Sequence, residues 1–374
     1  MKKIRHDDAL FGMALRLCYV VMFFLTCATG VAYGQLPAGF VQKKLTGNVI
    51  NEATSMAHAA DGRIFIAERS GAVKVFRDGN VSTVHTVTTT TASEQGLLGI
   101  TLHPQFASNG KCYLFYTNQE KTRHYLDVIS ISSANTVSSV TRVMQFDSIL
   151  NGNHNGGALL FKGGLLYIAL GESNRAEYAT DVNSYRGKIL RLQEDGQPAP
   201  GNPFYNETGA SRQKRSIWGL GLRNPWRMSL DPVSQRLFVI DVGGEFEEIN
   251  DLTRPDAAKN FNYGWDNNGR SGNKQAVNTI ESVYFYPHEA NACAITTGVF
   301  FNPPATDYPA QYRNRFFFSD WCTGWFRSVD ATNPGAGATQ FAASGFGSIL
   351  GTSVGNDGNI YYLNYNTNGS LWRL

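Results

Sequence analysis

The chain has 374 residues, 42% of them hydrophobic and 17% charged, with a formal net charge of +3. That composition excludes an intrinsically disordered chain, and the near-neutral charge implies no polyelectrolyte partner such as a nucleic acid. With 17 Tyr and 23 Phe it has the aromatic content for a well-packed core, and its length suits two domains or one closed β architecture.

At the N-terminus, Lys2, Lys3 and Arg5 precede an apolar run from Leu17 to Leu25, and small residues follow as far as Gly34. This layout predicts a secretory signal peptide over residues 1–34, cleaved near Gly34–Gln35. The run is too short for the ~20 residues that span a bilayer, so no integral membrane segment is expected after cleavage. Phe24-Leu25-Thr26 is a poor lipobox, which argues against lipidation of Cys27. Cleavage would leave residues 35–374 and remove four basic and two acidic side chains, lowering the charge from +3 to +1. A secreted or periplasmic location follows, in a compartment that permits disulfides.

The remaining chain repeats one phrase six times: a turn rich in Gly or Asp, an aromatic and aliphatic run, then another turn. It reads Asp61-Gly-Arg-Ile-Phe-Ile-Ala, Gly110-Lys-Cys-Tyr-Leu-Phe-Tyr, Gly163-Gly-Leu-Leu-Tyr-Ile-Ala, Gln235-Arg-Leu-Phe-Val-Ile-Asp, Asn314-Arg-Phe-Phe-Phe-Ser-Asp and Asp357-Gly-Asn-Ile-Tyr-Tyr-Leu. Short β-rich runs bounded by turn residues, without a helical apolar stripe, predict an all-β fold. Strand candidates such as Gly99-Ile-Thr-Leu and Arg227-Met-Ser-Leu come before the phrase, and others such as Gly187-Lys-Ile-Leu-Arg-Leu follow it. The expectation is a six-bladed β-propeller over residues 35–374, each blade a four-stranded meander. The phrase centres lie 48, 54, 71, 79 and 44 residues apart, so insertions are expected near 193–215 and 251–290. A large sandwich is the alternative, but it would not repeat one phrase in register.

In a propeller, the loop entering each innermost strand and the loop leaving the second strand open on the same face. Glu94-Gln95, Asn153-His154-Asn155, Trp218 to Asn224, Cys293 and Gly345 to Ser348 fall in entering loops; Gly171-Glu172-Ser173, Asp241 to Glu245 and Asp320 to Thr323 fall in leaving loops. Cys293 and Cys322 therefore meet at one end of a hairpin, which predicts a disulfide between them, with Cys112 a buried thiol.

The phrases Gly96-Leu-Leu-Gly-Ile-Thr-Leu-His-Pro-Gln-Phe, His154-Asn-Gly-Gly, Gly187-Lys-Ile-Leu-Arg-Leu, Gly219-Leu-Gly-Leu-Arg-Asn-Pro-Trp-Arg, Glu248-Ile-Asn and Asn262-Tyr-Gly-Trp resemble, in order, the soluble glucose/sorbosone dehydrogenases. This group also includes Hedgehog-interacting-protein-like propellers. The resemblance implies oxidation of the anomeric hydroxyl of an aldose to a lactone, with pyrroloquinoline quinone (PQQ) as hydride acceptor. His154 matches the base, an imidazole suited to proton transfer near neutral pH. Arg223 matches the arginine beside the quinone, where a fixed cation stabilises developing negative charge. Glu94, Asn153 and Asn224 would contact the cofactor, although the family commonly has a glutamine where Glu94 stands.

The resemblance also implies calcium, held by the carbonyls of Gly243 and Gly244 beside the quinone and by Glu248 and the Tyr263 carbonyl at a structural site. One departure is marked. PQQ carries three carboxylates, and family enzymes meet them with Lys and Arg from the last two blades. The matching turns here, Asp320-Trp-Cys-Thr-Gly and Ser344-Gly-Phe-Gly-Ser, carry none. The alternative is a non-catalytic exported propeller that binds a carbohydrate or protein ligand at the channel mouth. A lactonase-type propeller is more distant, because no ring of carboxylates marks the channel centre.

Overall fold

The computed structural model describes residues 36–254, 256–265 and 278–374, so the expected signal peptide and part of the second insertion lie outside the described residues. Strands within 53–86, 97–148, 159–220, 225–287 and 295–342 form five consecutive four-stranded antiparallel meanders. The sixth sheet combines the last three strands with β1 (Lys43–Lys44), whose partner is the final strand, Leu371–Arg373. Hydrogen bonds between the two ends of the chain thus close the ring, and the architecture is a six-bladed β-propeller.

The recurring phrase is the second strand of every blade, running over Ile64–Glu68, Lys111–Thr117, Leu165–Leu170, Leu237–Asp241, Arg315–Asp320 and Ile360–Asn364. Each follows a turn residue in the left-handed region: Gly62, Gly110, Gly164, Gln235, Asn314 or Gly358, with φ between 56° and 87°. The aromatics of these strands pack between blades. Phe238 of blade four lies 4.6 Å from Phe300 of blade five, and Phe326 of blade five lies 4.8 Å from Phe346, which enters blade six.

Both insertions fall between the third and outermost strands of a blade. In blade three the excursion ends in a helical turn, Arg212–Ser216, capped by Ser211 Oγ, which accepts the Lys214 amide at 3.2 Å. In blade four the Asn262-Tyr-Gly-Trp phrase leans back on blade three: the Tyr263 amide donates to the Leu220 carbonyl at 2.8 Å and the Trp265 amide to Gly221 at 2.9 Å. Among the described residues no helix is long and apolar enough to cross a membrane.

Cys293 and Cys322 form the expected disulfide across the first hairpin of blade five, with Cα atoms 5.7 Å apart. Cys112 is buried and unpaired, and burial pushes its thiol pKa up. Asp320 organises the same corner. Its Oδ2 accepts the amides of Cys293 and Ala294 and the Tyr286 hydroxyl, and its Oδ1 accepts the amides of Cys322 and Thr323 and the Thr323 hydroxyl.

Two losses of stability are expected. Cys322→Ser opens a loop closed over 29 residues and should cost about 2–4 kcal/mol in urea unfolding, a difference that vanishes under reducing conditions. Asp320→Ala strands several buried donors and should cost about 3 kcal/mol or more, with the disulfide intact by thiol titration.

Candidate functional site

The loops of blades two, three and four meet at one end of the channel. Glu94 Oε2 accepts the His154 amide at 2.8 Å and Asn224 Nδ2 at 3.4 Å, and Asn224 Oδ1 accepts the Gly156 amide at 3.0 Å. Asn224 therefore ties three blades together. It is held in turn by Asp241 at the end of the second strand of blade four, whose carboxylate accepts the Asn224 amide at 2.7 Å and the Arg223 amide at 3.0 Å. Burial pushes the Asp241 carboxyl up to about 7, against the downward pull of the two amides and the Arg223 charge.

His154 has a left-handed backbone, φ 55°, stabilised by its amide bond to Glu94 and by its carbonyl, which accepts the Ser173 amide at 3.1 Å. The glycines around it mark close approach of main chains. A Cβ on Gly171 would lie 2.1 Å from the His154 carbonyl oxygen, and one on Gly157 would lie 2.7 Å from Leu98 Cβ of blade two. The His154 side chain is buried, and its Nδ1 lies 2.7 Å from Oε1 of Glu172, itself 1% exposed. The other oxygen, Oε2, accepts the Arg175 amide at 2.5 Å. A carboxylate accepts, so Nδ1 is the donor of this pair.

Beside this cluster lies a cavity of about 300 Å³ whose wall includes Arg69, Glu94, Asn224, Trp226, Trp321 and Tyr365. Its size is in the range of small-molecule sites. Arg69 Nε donates to Glu52 at 2.9 Å and its Nη1 to the Ser93 carbonyl at 2.7 Å.

Of the expected site residues, Glu94, His154, Arg223 and Asn224 are joined in one network, with Glu94 and Asn224 on the cavity wall. Arg223 is turned aside: its Nη1 donates to the Val242 carbonyl at 2.8 Å and its guanidinium lies over the Trp265 ring at 5.4 Å. Asn153 is in the preceding turn, its amide on Asn151 Oδ1. Gly243 is buried in a tight turn, where a Cβ would meet the Phe246 carbonyl, and Gly244 is exposed. Glu248 is buried beside Asn250, at 3.3 Å, whereas the Tyr263 hydroxyl donates to the Asp251 carbonyl at 2.8 Å. Among the described residues, the group of His, Cys, Asp and Glu side chains close enough to share an ion is Cys293, Asp320 and Cys322, two of which form the disulfide.

Sequence reasoning missed the pairing of His154 with Glu172, the anchoring role of Asp241, and Arg69 with the aromatic wall. The first was within reach. The hairpin logic that joins Cys293 to Cys322 also joins His154, just before an innermost strand, to Glu172, just after its neighbour. Arg69 leaves blade one by the equivalent turn, and only the closed ring carries it to the cavity.

The glucose/sorbosone dehydrogenase family model matches residues 50–373, nearly the whole described propeller. The chain belongs to the glucose/sorbosone dehydrogenase family. It is 35% identical over 177 residues to the aldose sugar dehydrogenase YliI of Escherichia coli K12, covering 46% of each chain. It is 30% identical over 226 residues to mouse Hedgehog-interacting protein, covering 51% of this chain and 31% of that one. The chain thus spans about half or less of the length of these curated relatives. Among solved structures, the apo-form soluble aldose sugar dehydrogenase of Escherichia coli superposes with a TM-score of 0.77 at 23% identity, covering 89% of this chain and 98% of that one. The PQQ-bound aldose sugar dehydrogenase of Streptomyces coelicolor gives 0.72 at 22% identity, covering 91% and 99%. At these identities both likenesses concern the fold.

One buried group behind the His154 loop gives a pH test. His124 lies against Phe115, and burial, helped by the Arg186 charge and opposed by a hydrogen bond with Asn155, pulls its pKa down to about 3. Its folded pKa is below the unfolded value, so its contribution to stability is full above pH 6.5 and is lost as pH falls from 6.5 towards 3. Urea unfolding of His124→Gln should have a shallower pH slope in that interval, by about 1.4 kcal/mol per pH unit. An unchanged slope would mean that His124 is not held neutral.

Proposed function

We propose that this protein oxidises the anomeric hydroxyl of an aldose to a lactone, with His154 as the base and PQQ as the hydride acceptor. The observation that carries the reading is the buried 2.7 Å bond from His154 Nδ1 to Glu172. Glu172 keeps the proton on Nδ1, orients the ring, and stabilises the positive charge that appears when Nε2 takes the hydroxyl proton. The Arg175 amide on its second oxygen fixes the carboxylate in turn. Family membership and the order of the matched phrases support the same assignment.

The wall residues suit PQQ in part. Trp226, Trp321 and Tyr365 offer faces to a planar ring system, Arg69 a cation to a carboxylate and Asn224 an amide to a carbonyl. When bound, the quinone supplies the two-electron sink for the hydride. Cations for the other carboxylates are scarce. Arg315 runs along its sheet to Ser328, Arg327 to Gln340, and Arg313 to the Pro303 carbonyl. We therefore expect PQQ to bind, and more weakly than to a site ringed by Lys and Arg.

Calcium at Gly243 and Gly244 would face the Arg223 guanidinium on the adjoining Val242 carbonyl, with exposed Glu245 the nearest carboxylate in sequence. That is a poor start toward the roughly six to eight oxygens calcium gathers. No step is assigned to it there, nor at Glu248 and Tyr263. The signal-like N-terminus and the disulfide support export to a secreted or periplasmic location.

The second reading, a non-catalytic propeller that binds a carbohydrate or protein ligand at the same mouth, is favoured by the cation-free turns of blades five and six. Purified protein given PQQ and calcium should quench its tryptophan fluorescence and reduce an artificial dye with a panel of aldoses. His154→Ala should lose roughly 10²–10⁴-fold in kcat, and Glu172→Gln roughly 10²-fold with a changed pH profile, both with unaltered quenching. Neither quenching nor turnover in the wild type would remove the redox reading and leave the binding one. Full turnover in His154→Ala would reject it as the base.

A further inference from the structure

The channel contains a second, larger cavity. It opens on the face opposite the mouth and has a volume of about 730 Å³. The two cavities are back to back: Thr54, Thr296 and Leu350 line the one at the mouth, and their neighbours Ser55, Thr297 and Gly351 line the other. Arg227, on the innermost strand of blade four, forms the partition. Its Nε donates to the Leu350 carbonyl of blade six at 3.0 Å, its Nη1 to the Trp226 carbonyl at 2.5 Å, and its Nη2 to the Thr54 carbonyl of blade one.

Those bonds use three of the five guanidinium N–H groups, all on neutral carbonyls. The side chain is 8% exposed and lines the larger cavity, not the mouth. No Asp, Glu or Lys is among the described residues that line that cavity with it. The carboxylates behind the wall are already engaged: Asp231 accepts from Ser234, Val233 and Asn302, and Asp357 from Arg373, Asn359 and Tyr361. Burial alone pulls Arg227 down to about 9, so it stays a cation at neutral pH without a counter-charge. Around it the wall is mixed, with hydroxyls and amides set among apolar side chains such as Leu102, Phe161 and Val299. Thr352 Oγ1 meets Thr297 Oγ1 at 2.6 Å, Ser353 Oγ meets His58 Nε2 at 2.7 Å, and Ser55, Thr101, Asn302 and Asn356 add polar atoms.

We propose that this vestibule binds a polyhydroxylated carboxylate, a sugar acid, with its carboxylate on the two remaining N–H groups of Arg227 and its hydroxyls on the Ser, Thr and Asn side chains. A lone guanidinium in a cavity free of carboxylates selects an anion, and it donates best to a carboxylate. The hydroxyls and amides set into that mixed wall favour a ligand that both donates and accepts hydrogen bonds, and the apolar stretches between them suit its carbon chain. Such acids are what aldonolactones become on taking up water, but binding here does not depend on the redox reading, because no residue of the His154 network takes part.

Isothermal titration calorimetry with D-gluconate, D-glucose and sulfate at matched ionic strength tests this. Gluconate should bind the wild type, with glucose and sulfate each roughly tenfold weaker or more, since each lacks half of the recognition. Arg227→Gln should weaken gluconate roughly tenfold or more, and Ser353→Phe, which replaces a wall hydroxyl by a ring that narrows the cavity and leaves Arg227 in place, should weaken it by a similar factor. His154→Ala should bind gluconate like the wild type. Should Arg227→Gln fail to fold by circular dichroism, Ser353→Phe carries the test. The proposal is overturned by a wild type that does not bind gluconate, by sulfate binding as tightly, by undiminished binding in Ser353→Phe, or by loss of binding in His154→Ala, which would locate the acid at the mouth.

Discussion

The structure depends on a buried carboxylate at the end of a second strand that accepts main-chain amides from the loop entering the first strand of the same blade. Glu68 takes the Asn51 amide at 2.7 Å in blade one, Asp241 takes the Arg223 and Asn224 amides in blade four, and Asp320 takes the Cys293 and Ala294 amides in blade five. These loops cannot satisfy their amides within the sheet, and an unpaired buried amide costs as much as a lost hydrogen bond. A fixed carboxylate solves that problem and sets the conformation of the mouth.

Blade three breaks the pattern. Leu170 stands at the equivalent place; the carboxylate comes two residues later, from Glu172 in the leaving loop, and one of its oxygens goes to an imidazole. The amide of His154 is instead served from blade two by Glu94. The entering loop of blade three is thus held by its neighbours, and the carboxylate of its own hairpin is released to orient a titratable ring. That exchange of partners distinguishes this corner from those in blades four and five, where an aspartate binds backbone amides and, in blade five, hydroxyls, but no imidazole.

Much of this was legible in the sequence because the fold is a repeat. Six phrases in register give six blades, and the topology then places Cys293 beside Cys322 and gathers Glu94, His154 and Asn224, although 130 residues separate Glu94 from Asn224. What stayed hidden follows from closure of the ring. β1 completes the last blade only because its two residues pair with the C-terminal strand, and a two-residue strand has no periodicity to read. Arg69 reaches the cavity shared with Trp321 and Tyr365 for the same reason: blade one meets blade six only in the closed ring. Side-chain direction was equally beyond a motif. Arg223 is where the family phrase puts it, yet its guanidinium bonds to the Val242 carbonyl next to the glycines expected to hold calcium.

Charge is distributed unequally along the channel. At the mouth, Arg69 and Glu94 are the charged side chains on the cavity wall, one of each sign, so the wall itself is close to neutral, with Glu52 paired to Arg69 behind it. One layer down, Arg227 is a cation held by carbonyls and the face of the Trp226 ring, with no carboxylate partner. The partition is therefore polar without being balanced, and a buried cation solvated by main-chain dipoles is tolerated only because those dipoles are fixed by three separate blades. A near-neutral aromatic mouth is suited to polyols and flat rings, whereas a cationic vestibule is suited to acids. The closed ring makes both from one set of strands, because the innermost strands of blades one, two, four, five and six border the mouth where they begin and the vestibule further along.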